Sequence, residues 1–274
     1  MTTDQYRSIY IVLQSSYEKQ AYRIVKKHLN IIIKGLSLSN ITADNAQMTV
    51  ESTFDKKHVK TMYIELYRAI GLKHGAFVVR NIDSDTKDIG LTFFEVFFNN
   101  LINTVLINSI GSRITTVSET MIDAIVKIIK DAYKTEDLNI MQVRKLIYDK
   151  VRDNNFYRYQ ALRIARTETT TISNYATLQA GRASRLVMTK KWVSIQSERT
   201  RVTPEDQFDH LHMNDAVVEL EELFNVDGID GNNSIMYPGD QELGVAGNII
   251  NCRCAMTLIP KRDSNGRPIR KTDL

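Results

Sequence analysis

Cysteine is nearly absent from this 274-residue chain: Cys252 and Cys254 are the only two. With one residue between them, the Cα separation and Cβ directions are wrong for a mutual disulfide. A reduced, cytoplasmic setting is therefore expected. Proline is missing before Pro204, and the other three are Pro238, Pro260 and Pro268. Proline removes a backbone donor and breaks helices, so its absence permits long helices over most of the chain. Uninterrupted apolar runs are also lacking. The most apolar window, Leu91 to Ile110, contains Glu95, Asn99, Asn100, Asn103 and Asn108. A membrane span needs about 20 mostly apolar residues, and those groups would be costly in lipid, so the window reads as a buried helix. The N-terminus, MTTDQYRSIY, has no basic segment followed by an apolar run, so no signal peptide is expected. No strong charge excess exists: the net charge is +4, compatible with DNA contact without demanding it. The catalytic signatures GxxxxGK[ST], GxGxxG, HExxH and GxSxG do not occur. There is no internal repeat and no low-complexity tract.

What is present suffices for a core. Hydrophobic residues make up 43% and charged residues 25%, ordinary values for a globular protein. The length allows one large domain or two modest ones. Met121, Ile125, Ile128, Ile129 and Ala132 recur at helical spacing, with Ser118 a candidate N-cap. Val143, Leu146 and Ile147 mark a second helix. Ala161, Ile164, Ala165, Ile172, Tyr175, Ala176 and Gln179 mark a longer one that stops near Gly181. Ala21, Ile24, Val25, Leu29 and Ile32 repeat the pattern near the start. Asn40 to Thr53 and Asn81 to Ile89 read as connections, the first with room for a short strand at Met48 to Val50. After Gly181 the signal changes. Leu186 to Ile195 has β-formers in partial alternation, Gly228 to Gly247 reads as turns, and Ile249 to Ile259 fits a final strand. The basic tail, KRDSNGRPIRKTDL, reads as flexible unless a partner holds it. The expected fold is α+β: a mainly helical N-terminal body followed by a small β-containing, loop-rich C-terminal module. The expected division is residues 1–118, 119–260 (helices to about 182) and a tail of 261–274.

Six short motifs follow one another in the second half: IARTET (Ile164–Thr169), Trp192 in KKW, ERTR (Glu198–Arg201), DHLHMND (Asp209–Asp215), YPGD (Tyr237–Asp240) and INCRC (Ile250–Cys254). In IARTET, Arg163 just before it, Arg166 and Glu168 cannot all face a core; they form a solvated helix face or reach the following strand module. The single Trp192 reads as a core or domain-junction residue, with partner contact as the alternative. In ERTR, Arg199 and Arg201 share one side of an extended segment, where they bind phosphate, bind carboxylates within the domain, or line a solvated edge. YPGD is a turn: Pro238 presets φ, Gly239 permits a positive φ, Asp240 accepts backbone donors and Tyr237 covers it. Asn251 caps or bridges nearby backbone.

His210 and His212 would face one side if extended, as would Cys252 and Cys254. Two histidines and two cysteines are the ligand types of tetrahedral zinc, so a structural zinc would clamp the 205–215 loop onto the last strand. Pairs separated by a single residue are not a strong zinc signature. The alternative is two small buried cysteines beside a hydrogen-bonded core histidine. An Arg/His nuclease-like set from Gln196 to Arg201 with His210 lacks the acidic metal ligands such sites need.

The order and spacing of the six motifs resemble the head-morphogenesis, or minor head protein, family of tailed phages, typified by Mu F-like proteins. The resemblance covers roughly residues 120–260. It matches His210 to the family histidine and leaves His212 at a variable position. Two departures stand out: Ser197 and Glu198 where similar proteins carry an aspartate, and Asp215 where they carry a glycine. The resemblance implies a non-enzymatic minor head protein that acts in procapsid assembly and DNA packaging at the portal vertex or inner capsid surface. It implies a virion location and portal or major capsid protein as partners; no cofactor is expected apart from the structural zinc. Non-specific contact with packaged DNA is compatible with the basic tail. Tyr6, Tyr10, Tyr17 and Tyr22 are candidate portal-facing residues, since tyrosine is favoured at interfaces. The rival reading from the residues alone is a zinc-dependent hydrolase, nuclease or peptidase, on His210, His212, Cys252 and Cys254 with Glu205 or Asp209 as base. A free-standing DNA-binding protein, recognisable by steep salt dependence, is a third.

Overall fold

The computed structural model describes residues 2–36, 40–82, 87–106, 111–135, 138–151 and 153–273. Its class is α+β, with a helical N-terminal body and a small antiparallel sheet near the C-terminus. Helix α1 spans Thr3–Gly35. Thr2 and Gln5 cap it reciprocally: Gln5 N–H donates to Thr2 Oγ1 at 3.2 Å and Thr2 N–H to Gln5 Oε1 at 2.9 Å. Then follow α2 (Ala46–Thr53), α3 (Lys56–Leu66), a π turn (Tyr67–Gly71), α4 (Leu72–Ile82), α5 (Lys87–Leu101) and a second π turn (Ile102–Leu106). Helices α6 (Gly111–Tyr133), α7 (Ile140–Val151) and α8 (Asn154–Ala183) complete the helical part. The chain divides into two compact units. One comprises residues 1–21, 66–104 and 165–274; the other comprises 22–65 and 105–164. These units do not follow the linear division at residue 118.

In the second unit, α2 packs on α6, and α6 on α7. Val25, Leu29, Ile125, Ile129 and Ile147 are buried. Tyr133 Oη donates to the Ile41 carbonyl at 2.6 Å, and the Arg113 guanidinium lies 5.3 Å over the Tyr63 ring. Two readings are corrected here. The Met48–Val50 stretch is helical, because Ala46 and Val50 bury one helical face while Met48 is exposed. Ser118 is no N-cap: the helix starts at Gly111, and Ser118 Oγ donates back to the Ile114 carbonyl at 2.6 Å.

The first unit carries the sheet. Strands β1 (Met188–Val193), β2 (Val217–Glu219) and β5 (Ala255–Pro260) form an antiparallel sheet in the order β2-β1-β5, with Trp192 opposite Met256. Strands β3 (Phe224–Val226) and β4 (Asn233–Ile235) form a ribbon, with β4 inside the stretch Gly228 to Gly247 read as turns, and a one-turn helix, α9 (Ala246–Ile249), precedes β5. Trp192, Phe224, Val226, Ile235 and Met256 pack in its core. Helix α8 ends at Ala183, two residues past Gly181 and close to the stop read there. A Cβ at Gly181 would come within 2.9 Å of Leu220 and 3.0 Å of Leu258, so the glycine lets the helix approach both.

The window from Leu91 buries one face only: Phe94, Phe98 and Ile102 are buried, whereas Phe93 and Val96 are exposed, and residues 107–110 lie outside the described residues. Phe98 and Phe94 lie on the bare backbone of Gly71 and Gly75, where a Cβ would sit 2.6 and 2.0 Å from the rings. No helix among the described residues is long and apolar enough to cross a membrane. The connection read at Asn81 to Ile89 falls partly on helix ends and partly, at 83–86, outside the described residues. The tail is not free. Asp263 Oδ1 accepts the N–H of Asn265 and Arg267, Gly266 takes φ 76°, and the returning strand gives Ile269 O to Val187 N–H at 2.9 Å. The Asp-Ser-Asn-Gly turn supplies the chemistry for that hairpin. Nor are three of the four N-terminal tyrosines a free surface, while Tyr22, in the second unit, is half-buried. Tyr6, Tyr10 and Tyr17 are buried inside the first unit, because α1 lies against the sheet and α8 there. Tyr6 Oη donates to the Met256 carbonyl at 3.0 Å, and Tyr10 Oη pairs with Ser173 Oγ at 2.8 Å.

Candidate functional site

The site grows from an unusual helix face. In α8 the run from Glu168 to Asn174 includes buried Thr169, Thr170, Thr171 and Ser173. Threonine is a poor helix former, and polar groups are buried only with partners. For Thr170, Thr171 and Asn174 the partners are loop backbones, whereas Ser173 pairs with Tyr10. Thr170 Oγ1 donates to the Cys252 carbonyl at 2.5 Å and Thr171 Oγ1 to the Gly239 carbonyl at 2.7 Å. Asn174 Nδ2 donates to the carbonyls of Pro238 and Cys254, both at 2.9 Å, and its Oδ1 accepts Met256 N–H at 2.8 Å. One asparagine thus holds both YPGD and INCRC. Sequence reasoning missed this residue; a dense run of threonine and asparagine within a helix was its signal.

YPGD closes on itself as well. Asp240 accepts Met236 N–H at 3.0 Å and Glu242 N–H at 2.9 Å. Gly239 has φ 80°, and a Cβ there would lie 3.0 Å from Thr170. Tyr237 is buried. Glu168 Oε1 accepts Gln241 Nε2 at 2.9 Å. Arg166 and Arg253 both turn to Glu18 on α1: Arg253 donates through Nε and Nη2 at 3.1 Å each, and Arg166 Nε is 3.8 Å away. Arg163 belongs to the second unit and is half-buried. Asn251 is exposed with φ 58°, and its N–H donates to Thr167 Oγ1 at 3.2 Å.

ERTR is a turn, not an extended edge, which corrects the shared arginine face. Thr200 N–H donates to the Ser197 carbonyl at 2.9 Å, and Ser197 N–H to Thr200 Oγ1 at 2.9 Å. Arg199 is left exposed. Arg201 turns inward and donates to the carbonyls of Asn248, at 2.9 Å, and Ile250. Its own carbonyl accepts the N–H of His210 and Leu211, both at 3.0 Å.

The DHLHMND segment also bends, and its histidines part company. His210 is 2% exposed, whereas the His212 side chain is 77% exposed. Asp209 pins the bend: Oδ1 accepts His212 N–H at 2.9 Å and Oδ2 accepts Thr203 N–H at 3.3 Å, with His212 Nδ1 2.7 Å away. Burial opposes ionisation of Asp209, but the His212 and Thr203 donors outweigh it and hold its carboxyl below the usual range. The four-ligand set is therefore not assembled, and the hydrolase built on it loses His212, because period-2 alternation holds only in a strand.

His210, Cys252 and Cys254 do meet. All are buried, and their ligand atoms lie within 4.8 Å of one another. His210 Nδ1 is 3.5 Å from Cys252 Sγ and 3.7 Å from Cys254 Sγ. Trp192 stacks edge-on against His210, with centroids 5.5 Å apart, and against Phe224 at 5.4 Å. The Cys254 thiol donates to Cys252, which holds Cys252 well below and Cys254 well above the usual thiol range; His210 and Arg201 lower Cys252 further. All three line one cleft with Arg166, Arg199, Arg201 and Arg253. Asp206 is the one carboxylate among the described lining residues, and it already accepts Val202 N–H at 3.2 Å.

The family described as phage Mu protein F like protein matches residues 120–257, a span that contains all six motifs. No curated protein and no solved structure matches the chain. The chain belongs to the phage Mu protein F-like family, a structural family of phage head morphogenesis, and is a phage head-related protein.

Proposed function

We propose that this member of the Mu F-like family is a minor head protein of a tailed phage, acting in procapsid assembly and DNA packaging. Its place is the portal vertex or the inner capsid surface, with the portal protein, the major capsid protein or both as partners. The family match over residues 120–257 carries this reading. The way the motifs are used supports a non-enzymatic role. Tyr237, Asp240, Glu168 and Trp192 are buried in packing or hydrogen bonding, and Arg201 and Arg253 bind carbonyls and a carboxylate within the fold. Contact with packaged DNA would run through exposed basic side chains such as Arg199 to phosphates, without base readout. The protein would pass from host cytoplasm during assembly to the virion.

The test is a phage carrying a stop codon early in this gene. The expected outcome is normal synthesis of capsid and portal proteins with heads that are misassembled or empty of DNA, restored by supplying the protein in trans. DNA-filled, infectious heads at wild-type yield without it would reject the assignment. Cross-linking in procapsids then separates the two locations, by recovery with the portal or with the major capsid protein.

A further inference from the structure

We infer that this protein binds a zinc ion through His210 Nδ1, Cys252 Sγ and Cys254 Sγ, with a fourth position open to the arginine-lined cleft. This stands apart from the head-assembly reading and does not depend on it. The spacing comes first. Tetrahedral zinc with bonds of about 2.3 Å to sulfur and about 2.0–2.1 Å to nitrogen separates N and S ligand atoms by about 3.5 Å. The distances from Nδ1 to the two sulfurs are 3.5 and 3.7 Å.

The histidine is set in the ligating tautomer by a chain of fixed groups. Asn233 Nδ2 donates to the Leu243 carbonyl at 3.1 Å, and its Oδ1 accepts Val245 N–H at 3.2 Å, which fixes its orientation. That Oδ1 also accepts Asn248 Nδ2 at 2.8 Å, so Asn248 turns its own Oδ1 toward His210 Nε2, 2.6 Å away. Nε2 must then carry the proton, and the Nδ1 lone pair points at two sulfurs. An acceptor for the distal ring N–H is the usual outer-shell partner of a metal-bound histidine. Both sulfurs lie within reach of this one lone pair, and a metal ion takes all three donor atoms at once.

Charge agrees. A divalent ion, two thiolates and a neutral imidazole sum to zero, so the unit can be buried beside Arg201. Binding releases the two thiol protons to solvent. Two thiolates and an imidazole favour zinc over magnesium or calcium, which take oxygen ligands. The ion ties the loop from Arg201 to Asp215 to the segment before β5, adding to the Arg201 bonds to the Asn248 and Ile250 carbonyls. All three ligands line the cleft, so the remaining position faces it, and its arginines favour water in its hydroxide form or a carboxylate there.

The test uses the full-length, untagged chain, reduced, supplied with zinc and dialysed. Elemental analysis should find about one zinc per chain, and cobalt(II) in its place should show sulfur-to-metal charge-transfer absorption. His212→Ala should keep the metal and Cys254→Ser should lose it. Asn248→Ala should weaken zinc binding about 10–100-fold. Because Cys254→Ser can unfold the module, thiol labelling of the wild type is read beside it: both cysteines should react slowly until a strong chelator is added. A reduced chain that takes up neither zinc nor cobalt, equal loss of metal in His212→Ala and Cys254→Ser, or labelling indifferent to chelator would each overturn the site.

Discussion

Asn174 offers the sharpest test of how the module is held. Its side chain is fully buried and serves three backbone groups: the carbonyls of Pro238 and Cys254 and the N–H of Met256. Replacing it with alanine removes three hydrogen bonds worth about 1–1.5 kcal/mol each and leaves their backbone partners buried, so a loss of about 4 kcal/mol is expected. Ser173→Ala is the comparator, because it removes one bond to Tyr10 and one to the Thr170 carbonyl at 3.2 Å. It should cost about 1–2 kcal/mol. Trp192 is the only tryptophan and lies in the core of the same unit, so its fluorescence in a urea titration follows this module. The midpoint should fall in the order wild type, Ser173→Ala, Asn174→Ala, with unchanged slope. An Asn174→Ala loss below about 1 kcal/mol, or no larger than that of Ser173→Ala, would show that the helix does not carry the two loops.

Gly75→Ala should destabilise by about 1–3 kcal/mol through overpacking against Phe94, measured by the same titration, whereas Gly35→Ala, where a Cβ meets nothing within 4 Å, should not. Lys190 is buried, and burial pushes its ammonium down to about 8 from 10.5. The unfolded chain therefore holds more protons between these values, so stability should rise with pH from about 8 to 10.5, and Lys190→Met should flatten that rise. Deleting residues 1–21 should lower the urea midpoint of the Trp192 transition and expose the tryptophan, since it removes Tyr6, Tyr10, Gln14 and Glu18 from the unit; an unchanged midpoint would separate α1 from the module.

The helical body and the first strand were legible because their signals are local. Met121, Ile125 and Ile129 repeat at helical spacing and are buried, and the β-formers from Met188 to Val193 form a strand. What failed were rules applied outside their geometry. Alternation placed His210 with His212 and Arg199 with Arg201, yet both segments turn, and each pair sends one member in and one out. For Cys252 and Cys254 alternation does hold, with Arg253 between them reaching Glu18 instead. Ser118 satisfied a capping preference inside a helix that had already begun. Basic composition made the tail look free, although Asp263 and Gly266 encode the turn that folds it back.

The N-terminal tyrosines mark a different kind of limit. A tyrosine has an apolar body and a polar tip, so the same residue suits an interface and a core whose polar backbone needs donors. Tyr6 and Tyr10 do the second, and their partners Met256 and Ser173 lie 250 and 163 positions away, a distance no local pattern reports. The family match begins at residue 120, but the unit that holds its motifs also needs residues 1–21 and 66–104. The matched span is thus not a folding boundary. Loss of head incorporation after deleting α1 would follow from a damaged module, with or without a docking surface on that helix. Only substitutions at exposed α1 positions such as Val12, which leave the Trp192 transition unchanged, can separate docking from folding.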